Sequence, residues 1–318
     1  MVPVPQSLID FINTGTNFVV VGHEEPDGDC VGSQLAIHSL LCRMGKKAIP
    51  SSAGPFERTE LKSFEQFFLP FPLEREGLRL LVMDCSARER VGNLPIEGLP
   101  SAIIDHHVSG NPWGDAVYLD TEASSVCFMT EKIYTALGIK PTKEEAELLL
   151  FGICTDTGFF RHLDEKGSET FFTTARLVAA GASPKKIYGI MDGGKSLNSR
   201  LLAGSCLART RSYHSGKLLV TDETLEESEQ FGHLSRDSDL IYRLLQSVEG
   251  AEAVAIVRQE NKEECSMGLR SRDRIDVAAI AKSFGGGGHK NAAGAKVSGN
   301  SAQLEEKLVA AFGKIFGG

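Results

Sequence analysis

Residues 17–33 read NFVVVGHEEPDGDCVGS, and the pattern of side chains changes within them. The short apolar run from Phe18 to Val21 is typical of a buried strand. From Gly32 to Met44 apolar residues recur at helical spacing, and Gly45 ends that pattern. The stretch therefore predicts a β-α unit whose connecting loop is rich in acids.

Strand and helix patterns continue to alternate as far as about residue 190. The predicted helix at 142–150 opens at Thr142, with Glu145 three residues later, which is a capping box. Alternation of this kind predicts the α/β class, with a doubly wound parallel sheet and helices on both faces. The further elements predicted here are strands at 47–49, 78–83 and 102–104 and helices at 124–137 and 142–150.

The chain has 318 residues, more than one domain usually contains. We expect a catalytic domain at 1–192, a linker at 193–215 and a smaller α/β substrate-binding domain at 216–318. The linker is placed where Gly, Lys, Ser and Asn cluster after residue 192. In the second domain the pattern predicts strands at 217–221, 251–257 and 264–269, helices at 237–248, 275–284 and 301–315, and a glycine loop at 285–288.

Composition limits the possible functions. The net charge of -8 argues against a protein that holds long duplex nucleic acid over a broad basic surface. The seven cysteines lack a CxxC spacing, so we expect reduced thiols without a zinc site or disulfides. No apolar run is long enough to span a membrane and no signal peptide is evident, so we expect a cytoplasmic protein.

Acids and histidines follow several of the apolar runs. Because the carboxyl ends of parallel strands meet at one edge of a sheet, residues that follow different strands come together in space. We expect the apolar stretch that ends at Cys154 to contribute in the same way. The residues concerned are His23, Asp27 and Asp29 after the first strand, Asp84 after the strand at 78–83, Asp105, His106 and His107 after the strand at 102–104, and Asp156 after Cys154.

Clustered carboxylates repel one another unless cations neutralise them, so this set predicts a metal centre. Oxygen ligands with a few imidazoles suit Mn²⁺, with Mg²⁺ or Co²⁺ as substitutes. Two ions about 3.5–4 Å apart, bridged by one carboxylate, can activate water and polarise a phosphoryl group. Asp84, the middle acid, is the natural bridge. The set therefore predicts a two-metal phosphoester-cleaving site.

Simpler interpretations exist for each motif taken alone. An Asp-Gly-Asp sequence such as 27–29 is usually a surface turn, and Asp156 could cap a helix. The tetraglycine 285–288 could be a flexible linker, but His289 and Lys290 follow it, and glycines let backbone N–H groups approach an anion. We therefore favour a metal centre in the first domain and a phosphate-binding loop in the second.

The combined motifs resemble the DHH phosphoesterases, in the branch with a DHHA1 domain that includes nano-RNase/pAp phosphatases. The resemblance covers nearly the whole chain. It rests on HEEPDGD at 23–29, Asp84, DHH at 105–107, TDTG at 155–158 and GGGGHKNAAG at 285–294.

The resemblance implies roles for individual residues. His23 and Asp27 are expected to bind one Mn²⁺, Asp29, His106 and Asp156 the other, and Asp84 both. His107 is expected to face the substrate phosphate, as an electrostatic stabiliser or as a proton donor, and Asp105 to orient a histidine. Asp84, Asp105 and His107 form the expected catalytic set. The expected substrate contacts are Arg161, Arg270, Ser271, Gly286, Gly287, Gly288 and His289.

The resemblance also implies that the substrate binds in the cleft between the two domains. Short oligoribonucleotides degraded to 5′-mononucleotides are the expected substrates, with 3′-phosphoadenosine 5′-phosphate (pAp) as a second one. The alternatives are a phosphodiesterase for linear (pApA) or cyclic dinucleotides such as c-di-AMP, a RecJ-like exonuclease, a polyphosphate or pyrophosphate hydrolase, and an inactive nucleotide sensor. The sequence leaves the oligomeric state open, a homodimer included.

Overall fold

The structure is a computed structural model, and it describes residues 2–108, 110–272 and 274–317. The chain forms two compact units that meet in sequence between Gly193 and Gly194. In the described residues, no helix has both the length and the apolar character that crossing a bilayer requires.

The first unit is built around a parallel sheet of five strands, in the order β2-β1-β3-β4-β5. Its strands are β1 (Asn17–Val21), β2 (Lys47–Pro50), β3 (Leu78–Met83), β4 (Ser101–Asp105) and β5 (Ala116–Leu119). Its helices are α1 (Gln6–Thr14), α2 (Gly28–Arg43), α3 (Val126–Ala136), α4 (Lys143–Asp156), α5 (Ser168–Ala179) and α6 (Pro184–Asp192). Short 3-10 helices lie at Glu65–Phe67, Arg88–Val91 and Glu165–Gly167.

The two faces of this sheet are covered differently. One face, with Val20 and Ile104, packs in the main core against α1, α2, α3 and α4. The opposite face, with Val19 and Val82, packs against side chains such as Val91, from the connections that follow β3. The α/β class with a parallel sheet is confirmed, whereas helical cover was expected on both faces. Within the described residues, the β3–β4 connection contains a 3-10 helix and no α-helix. Its proline and glycine residues prevent a longer helix.

The second unit contains a mixed sheet of six strands among its described residues, in the order β10-β11-β9-β8-β7-β6. Strands β7 and β8 pair in parallel, and the other neighbouring strands pair antiparallel. Its strands are β6 (Arg211–Tyr213), β7 (Leu218–Glu223), β8 (Ala253–Gln259), β9 (Glu264–Ser271), β10 (Gly287–His289) and β11 (Ala292–Ser298). Its helices are α7 (Leu197–Ala208), α8 (Leu225–Phe231), α9 (Ser238–Gln246), α10 (Val277–Ser283) and α11 (Ser301–Phe316), with a 3-10 helix at His233–Ser235.

Two segments differ from the patterns read in the sequence. Residues 193–215, expected as a linker, include helix α7 and strand β6, and Ser196 caps α7 by accepting the N–H of Ser199. Residues 285–288 were expected as a loop, but Gly287 and Gly288 belong to β10 and pair with β11. Glycine has a low intrinsic preference for strands, so the strand could not be predicted from these residues. It forms because their backbone pairs with β11.

Helices α2 and α4 approach closely at Gly32. A Cβ atom at that position would lie 2.6 Å from the backbone oxygen of Leu148 and 3.0 Å from the sulfur of Cys127. These neighbours belong to the packed core and cannot move aside independently. The glycine therefore sets the distance between the helix that begins in the acidic loop and the helix that ends at Asp156.

We predict that Gly32→Ala lowers the free energy of unfolding by about 1–3 kcal/mol, because the added methyl group overpacks the core. The measurement is urea unfolding followed by circular dichroism. Gly189→Ala is the matched control, since Gly189 lies in α6 with no atom near the added carbon. The control should be neutral or stabilising by up to about 1 kcal/mol. Equal effects of the two substitutions would contradict the prediction.

Candidate metal centre

His23 follows β1 and points its ring towards two carboxylates. Its Nδ1 lies 2.7 Å from the backbone oxygen of Glu24, and because a carbonyl oxygen only accepts, Nδ1 carries the proton. Nε2 is then left as a lone-pair donor, 3.5 Å from Asp84 Oδ2 and 4.0 Å from Asp27 Oδ1. Burial lowers the pKa of His23, which favours the neutral ring that a metal ion requires.

Asp27 and Asp29 lie at the beginning of α2. Asp27 is the N-cap, and its Oδ1 accepts the N–H groups of Asp29 at 3.0 Å and Cys30 at 3.1 Å. Asp29 is fully buried and accepts from the first turn of α3, with Oδ2 2.6 Å from the nitrogen of Val126 and Oδ1 2.8 Å from that of Cys127. Burial raises the pKa of Asp29. The two helices that meet at Asp29 thus hold a carboxylate where its charge is unfavourable without a cation.

Asp84 follows β3 in a left-handed backbone conformation, with φ +60. Its N–H donates to Ile104 on the neighbouring strand at 2.9 Å, which holds the residue in this uncommon conformation. Oδ2 faces His23, whereas Oδ1 lies 3.6 Å from His106 Nε2 and has no hydrogen-bond partner among the described residues. Burial, and then the neighbouring aspartates, raise the pKa of Asp84 well above its usual range. A cation between Asp84 and the imidazoles would remove this penalty.

Asp105, the last residue of β4, holds the two histidines that follow it. Its Oδ1 accepts from the backbone N–H of His106 at 2.8 Å, from that of His107 at 3.1 Å and from His107 Nδ1 at 2.8 Å. His106 Nδ1 lies 3.1 Å from the oxygen of Ala123, so Nε2 faces the carboxylates, 3.5 Å from Asp156 Oδ2. The geometry supports the orienting role predicted for Asp105.

The contact between Asp105 and His107 also affects their protonation. The hydrogen bond to Asp105 is the main cause of the raised pKa of His107. Burial acts to raise the pKa of Asp105, but hydrogen bonds from His107 and Ser86 together outweigh it and the pKa is lowered. His107 therefore keeps its proton to higher pH than an ordinary histidine, and its Nε2 is not used in the contact with Asp105.

Asp156 is the last residue of α4, not the end of a strand as the sequence suggested. The apolar run 149–154 is a buried helical segment, and a short apolar run does not separate the two possibilities by periodicity. The end of α4 packs closely against the beginning of α2. The contact is so close that a Cβ atom at Gly28 would collide with the side chain of Thr155. Burial, followed by the charge of Asp29, raises the pKa of Asp156 to about 7.

The side chains form three groups whose potential ligand atoms lie within 4.8 Å of one another. Asp84 belongs to two of them, which fits a bridging carboxylate. The third group coincides with the set predicted for one ion. The residues therefore fit divalent cations, although the number and identity of the ions stay predictions. The groups are His23, Cys30 and Asp84, then Asp84, His106 and His107, and finally Asp29, His106 and Asp156.

Two residues near this centre were not identified from the sequence. Cys30 was expected only as a reduced thiol like the other cysteines, yet its sulfur and the potential ligand atoms of His23 and Asp84 lie within 4.8 Å of one another. Arg90 lies on the 3-10 helix after Asp84 and is exposed, and its backbone oxygen accepts the N–H of Glu24 at 2.7 Å. Neither a single cysteine nor a single arginine in a loop indicates a site by itself, so these two positions are recognised only in the folded chain.

The positive charge of the Arg90 side chain affects the pKa values of two histidines in the centre. After burial, its positive charge is among the causes that lower the pKa of His23, and it also opposes the raised pKa of His107. Arg90 makes no ion pair with a carboxylate in the part of the chain that the structure describes. It is therefore available to an anion.

The predicted substrate contacts lie in different surroundings. Arg161 is exposed and lies 3.2 Å from the ring of His162, on the turn after α4. Arg270 is on β9 in the second unit, with its guanidinium 4.6 Å from the ring centre of Tyr242. Ser271 is buried, and its hydroxyl donates to the backbone oxygen of Ile275 at 2.7 Å, which is a structural contact. The substrate roles of these residues stay predictions.

The glycines at 286–288 are not equivalent. A Cβ at Gly286 would collide with the backbone of Gly294, and one at Gly288 would lie 2.5 Å from the oxygen of Ala292, so both permit β10 to approach β11. A Cβ at Gly287 would meet no atom within 4 Å. Gly287 and the exposed side chain of His289 are thus the positions with space for a ligand.

We predict that the metal-free protein loses thermal stability as pH rises from 5 to 8. The pKa of Asp156 is about 7 in the folded chain and near 3.8 when unperturbed, so the folded state binds the proton more tightly. This stabilisation is present at low pH and is lost as pH rises through about 7. The measurement is the melting temperature after chelation, and added Mn²⁺ should remove the decline.

Asp156→Asn separates this effect from other titrations, since it should flatten the pH dependence of the metal-free protein. Asp115→Asn is the control, because Asp115 precedes β5 at the opposite edge of the sheet and accepts from the N–H of Ser101. A slope that is unchanged in Asp156→Asn would show that Asp156 does not cause the decline.

Comparison with known proteins agrees with the geometry. The model of the DHH family, N-terminal domain, matches residues 17–153, and that of the DHHA1 domain matches residues 232–317. The bifunctional oligoribonuclease and PAP phosphatase NrnA of Thermus thermophilus is 30% identical over 88% of this chain and 84% of its own length. NrnA of Bacillus subtilis is 26% identical over 91% of this chain and 92% of its own length.

Among solved structures, an exopolyphosphatase-related protein from Bacteroides fragilis has the same fold, with a TM-score of 0.84 and 21% identity. The match covers 98% of this chain and 97% of the other. Both family models match, and a relative 30% identical aligns over most of both chains. The chain therefore belongs to the DHH family of phosphoesterases and carries a DHHA1 domain.

Proposed function

We propose that this protein is a Mn²⁺-dependent hydrolase that degrades short oligoribonucleotides to 5′-mononucleotides and removes the 3′-phosphate of pAp. The observation that carries the proposal is Asp84, a buried carboxylate whose two oxygens face two different imidazoles. This arrangement suits the bridge of a two-ion centre. The names of the NrnA relatives supply the substrate class.

We propose that His23, Asp27, Asp29, His106 and Asp156 hold the ions together with Asp84. When bound, the ions would neutralise the carboxylates, activate water and stabilise charge on the phosphoryl group. His107 supplies a proton to the leaving oxygen, and the support for this role is its hydrogen bond to Asp105, which raises the pKa of His107. Asp105 keeps the ring in one orientation and one tautomer.

The substrate is short because the protein lacks the charge needed for a long polyanion. The net charge is -8, so attraction must come from the ions and a few placed cations. Arg90 in the first domain and Arg270 with His289 in the second are the proposed phosphate contacts. A cytoplasmic location remains a prediction.

A phosphodiesterase for linear or cyclic dinucleotides is the second candidate. The cyclic-di-AMP phosphodiesterase GdpP of Bacillus subtilis is 24% identical over 99% of this chain, although the chain covers 50% of that protein. The same metal residues would serve both reactions. The deciding test is the relative rate on a five-nucleotide RNA, pAp, pApA and cyclic di-AMP with Mn²⁺ present. Preference for the RNA and pAp supports the proposal, and preference for cyclic di-AMP rejects it in favour of the alternative.

We predict that Asp84→Asn and His106→Ala reduce turnover by at least about 10³-fold, as expected when a group that stabilises developing charge is removed. Asparagine tolerates the left-handed backbone at position 84, so the fold should survive. Rates on the five-nucleotide RNA and circular dichroism spectra are the measurements. Asp115→Asn serves as the control. Full activity in either Asp84→Asn or His106→Ala would refute the two-ion assignment.

We predict that Arg90→Gln lowers kcat/KM by about 10- to 100-fold, because a charge-assisted hydrogen bond to the substrate phosphate is lost. Arg88→Gln is a close control, since Arg88 lies on the same 3-10 helix but stacks over Trp113 at 4.6 Å. The two variants have the same net charge. Equal kinetics in both would exclude a specific contact at Arg90.

A further inference from the structure

The outer strands of the second sheet carry a strip without side chains. Gly268 on β9 pairs with Gly294 on β11, and Gly294 pairs with Gly287 on β10. Residues paired across antiparallel strands present their side chains on the same face, so these three glycines leave one continuous strip of bare backbone. We call Gly268, Gly287 and Gly294 the glycine strip.

Two cationic or polar side chains border the glycine strip. Arg270 pairs with Ala292, and Ala292 pairs with His289, in the row of residues next to the strip. Because side chains two residues apart on a strand share a face, Arg270 and His289 lie on the same face as the strip. Only the methyl group of Ala292 separates them. This face could receive a nucleotide with its phosphate near Arg270.

Tyr242 closes one end of the glycine strip. It belongs to α9 and is 5% exposed, in a core cluster with Ile241 and Leu245. A Cβ at Gly268 would collide with the hydroxyl oxygen of Tyr242. The absence of a side chain at position 268 therefore leaves the space that the Tyr242 hydroxyl occupies.

The ring of Tyr242 also supports Arg270. The guanidinium carbon lies 4.6 Å from the centre of the ring, which is a cation–π contact. One Arg270 nitrogen donates to the backbone oxygen of Leu269 at 3.1 Å, and Arg270 forms no ion pair with a carboxylate in the described ranges. Most of its donors are therefore free.

Neighbouring arginines of the second unit are used differently. Arg258 donates to Glu223, and Arg236 donates to Glu223 and Glu260. Arg272 donates to the backbone oxygen of Gln246. These side chains are held by acceptors within the unit, whereas Arg270 is held by an aromatic ring that leaves its hydrogen-bond donors available.

We propose that Tyr242 is a positioning residue for Arg270, and that Gly268 provides the space that the Tyr242 hydroxyl requires. This inference rests on the proposed function, in which Arg270 binds a phosphate of the substrate. A fixed guanidinium loses less rotamer freedom on binding, so the ring increases affinity without touching the substrate. A side chain at position 268 would displace the ring and release Arg270.

The test compares Tyr242→Leu and Gly268→Ser with Tyr242→Phe and Gly204→Ser in the full chain with Mn²⁺. We expect Tyr242→Leu and Gly268→Ser to raise KM for the five-nucleotide RNA about tenfold, with kcat within about twofold of the wild type. Tyr242→Phe keeps the ring and should behave like the wild type. Gly204→Ser is the control, because Gly204 lies on α7 with no atom near an added Cβ.

A double-mutant cycle with Arg270→Ala completes the test. If Tyr242 acts through Arg270, then Tyr242→Leu has no further effect on KM once Arg270 is removed. An unchanged KM in Tyr242→Leu, or an effect that adds fully to that of Arg270→Ala, would overturn the proposal. Should Tyr242→Leu fail to fold, as judged by circular dichroism, Gly268→Ser carries the same comparison.

Binding of 5′-AMP, measured by calorimetry, separates this inference from the proposed function. A wild-type protein that binds 5′-AMP but hydrolyses no substrate would reject the function. In that case a weaker affinity in Tyr242→Leu, absent in the Arg270→Ala background, would still support the positioning role. Equal affinity in the wild type and Tyr242→Leu would reject the positioning role whatever the activity.

Discussion

Repulsion among buried carboxylates is the constraint on which the first domain depends. Asp29, Asp84 and Asp156 have raised pKa values because burial and the charges of neighbouring aspartates disfavour ionisation. The fold nevertheless fixes them beside two imidazoles whose Nδ1 atoms are held by backbone oxygens. Such an arrangement is unfavourable for the apo chain and favourable once divalent cations are bound. We therefore regard the acidic cluster as a site built for metal, with the surrounding scaffold devoted to holding it.

The scaffold achieves this with few devices. Strands β1, β3 and β4 are neighbours at the centre of a parallel sheet, so the residues that follow them meet at one edge. The beginning of α2 and the end of α4 complete the site, and Gly28 and Gly32 allow these helices to approach closely. In the second domain Gly268, Gly287 and Gly294 leave one face of the sheet without side chains next to Arg270.

Several features could be predicted from the sequence because they depend on local pattern. The strands that precede His23, Asp84 and His106 follow from the apolar pattern, and the capping box at Thr142 follows from side-chain chemistry. The structure contains all of them. Asp156 was assigned to a strand end because a short apolar run fits a strand and a buried helix equally well. Arg90 and Tyr242 depend on contacts between distant segments, which no local pattern encodes. Binding of the substrate by residues of both domains remains a prediction, because no local pattern encodes it either.

Titration of the metal-free protein with Mn²⁺, followed by electron paramagnetic resonance of the free ion and by proton release, measures whether the acidic cluster binds metal. We expect two bound Mn²⁺ per chain, with protons released from the raised-pKa acids below neutral pH. We also expect Asp84→Asn to weaken both binding events, since Asp84 faces both histidines. Absence of Mn²⁺ binding, or binding that Asp84→Asn leaves unchanged, would contradict this expectation.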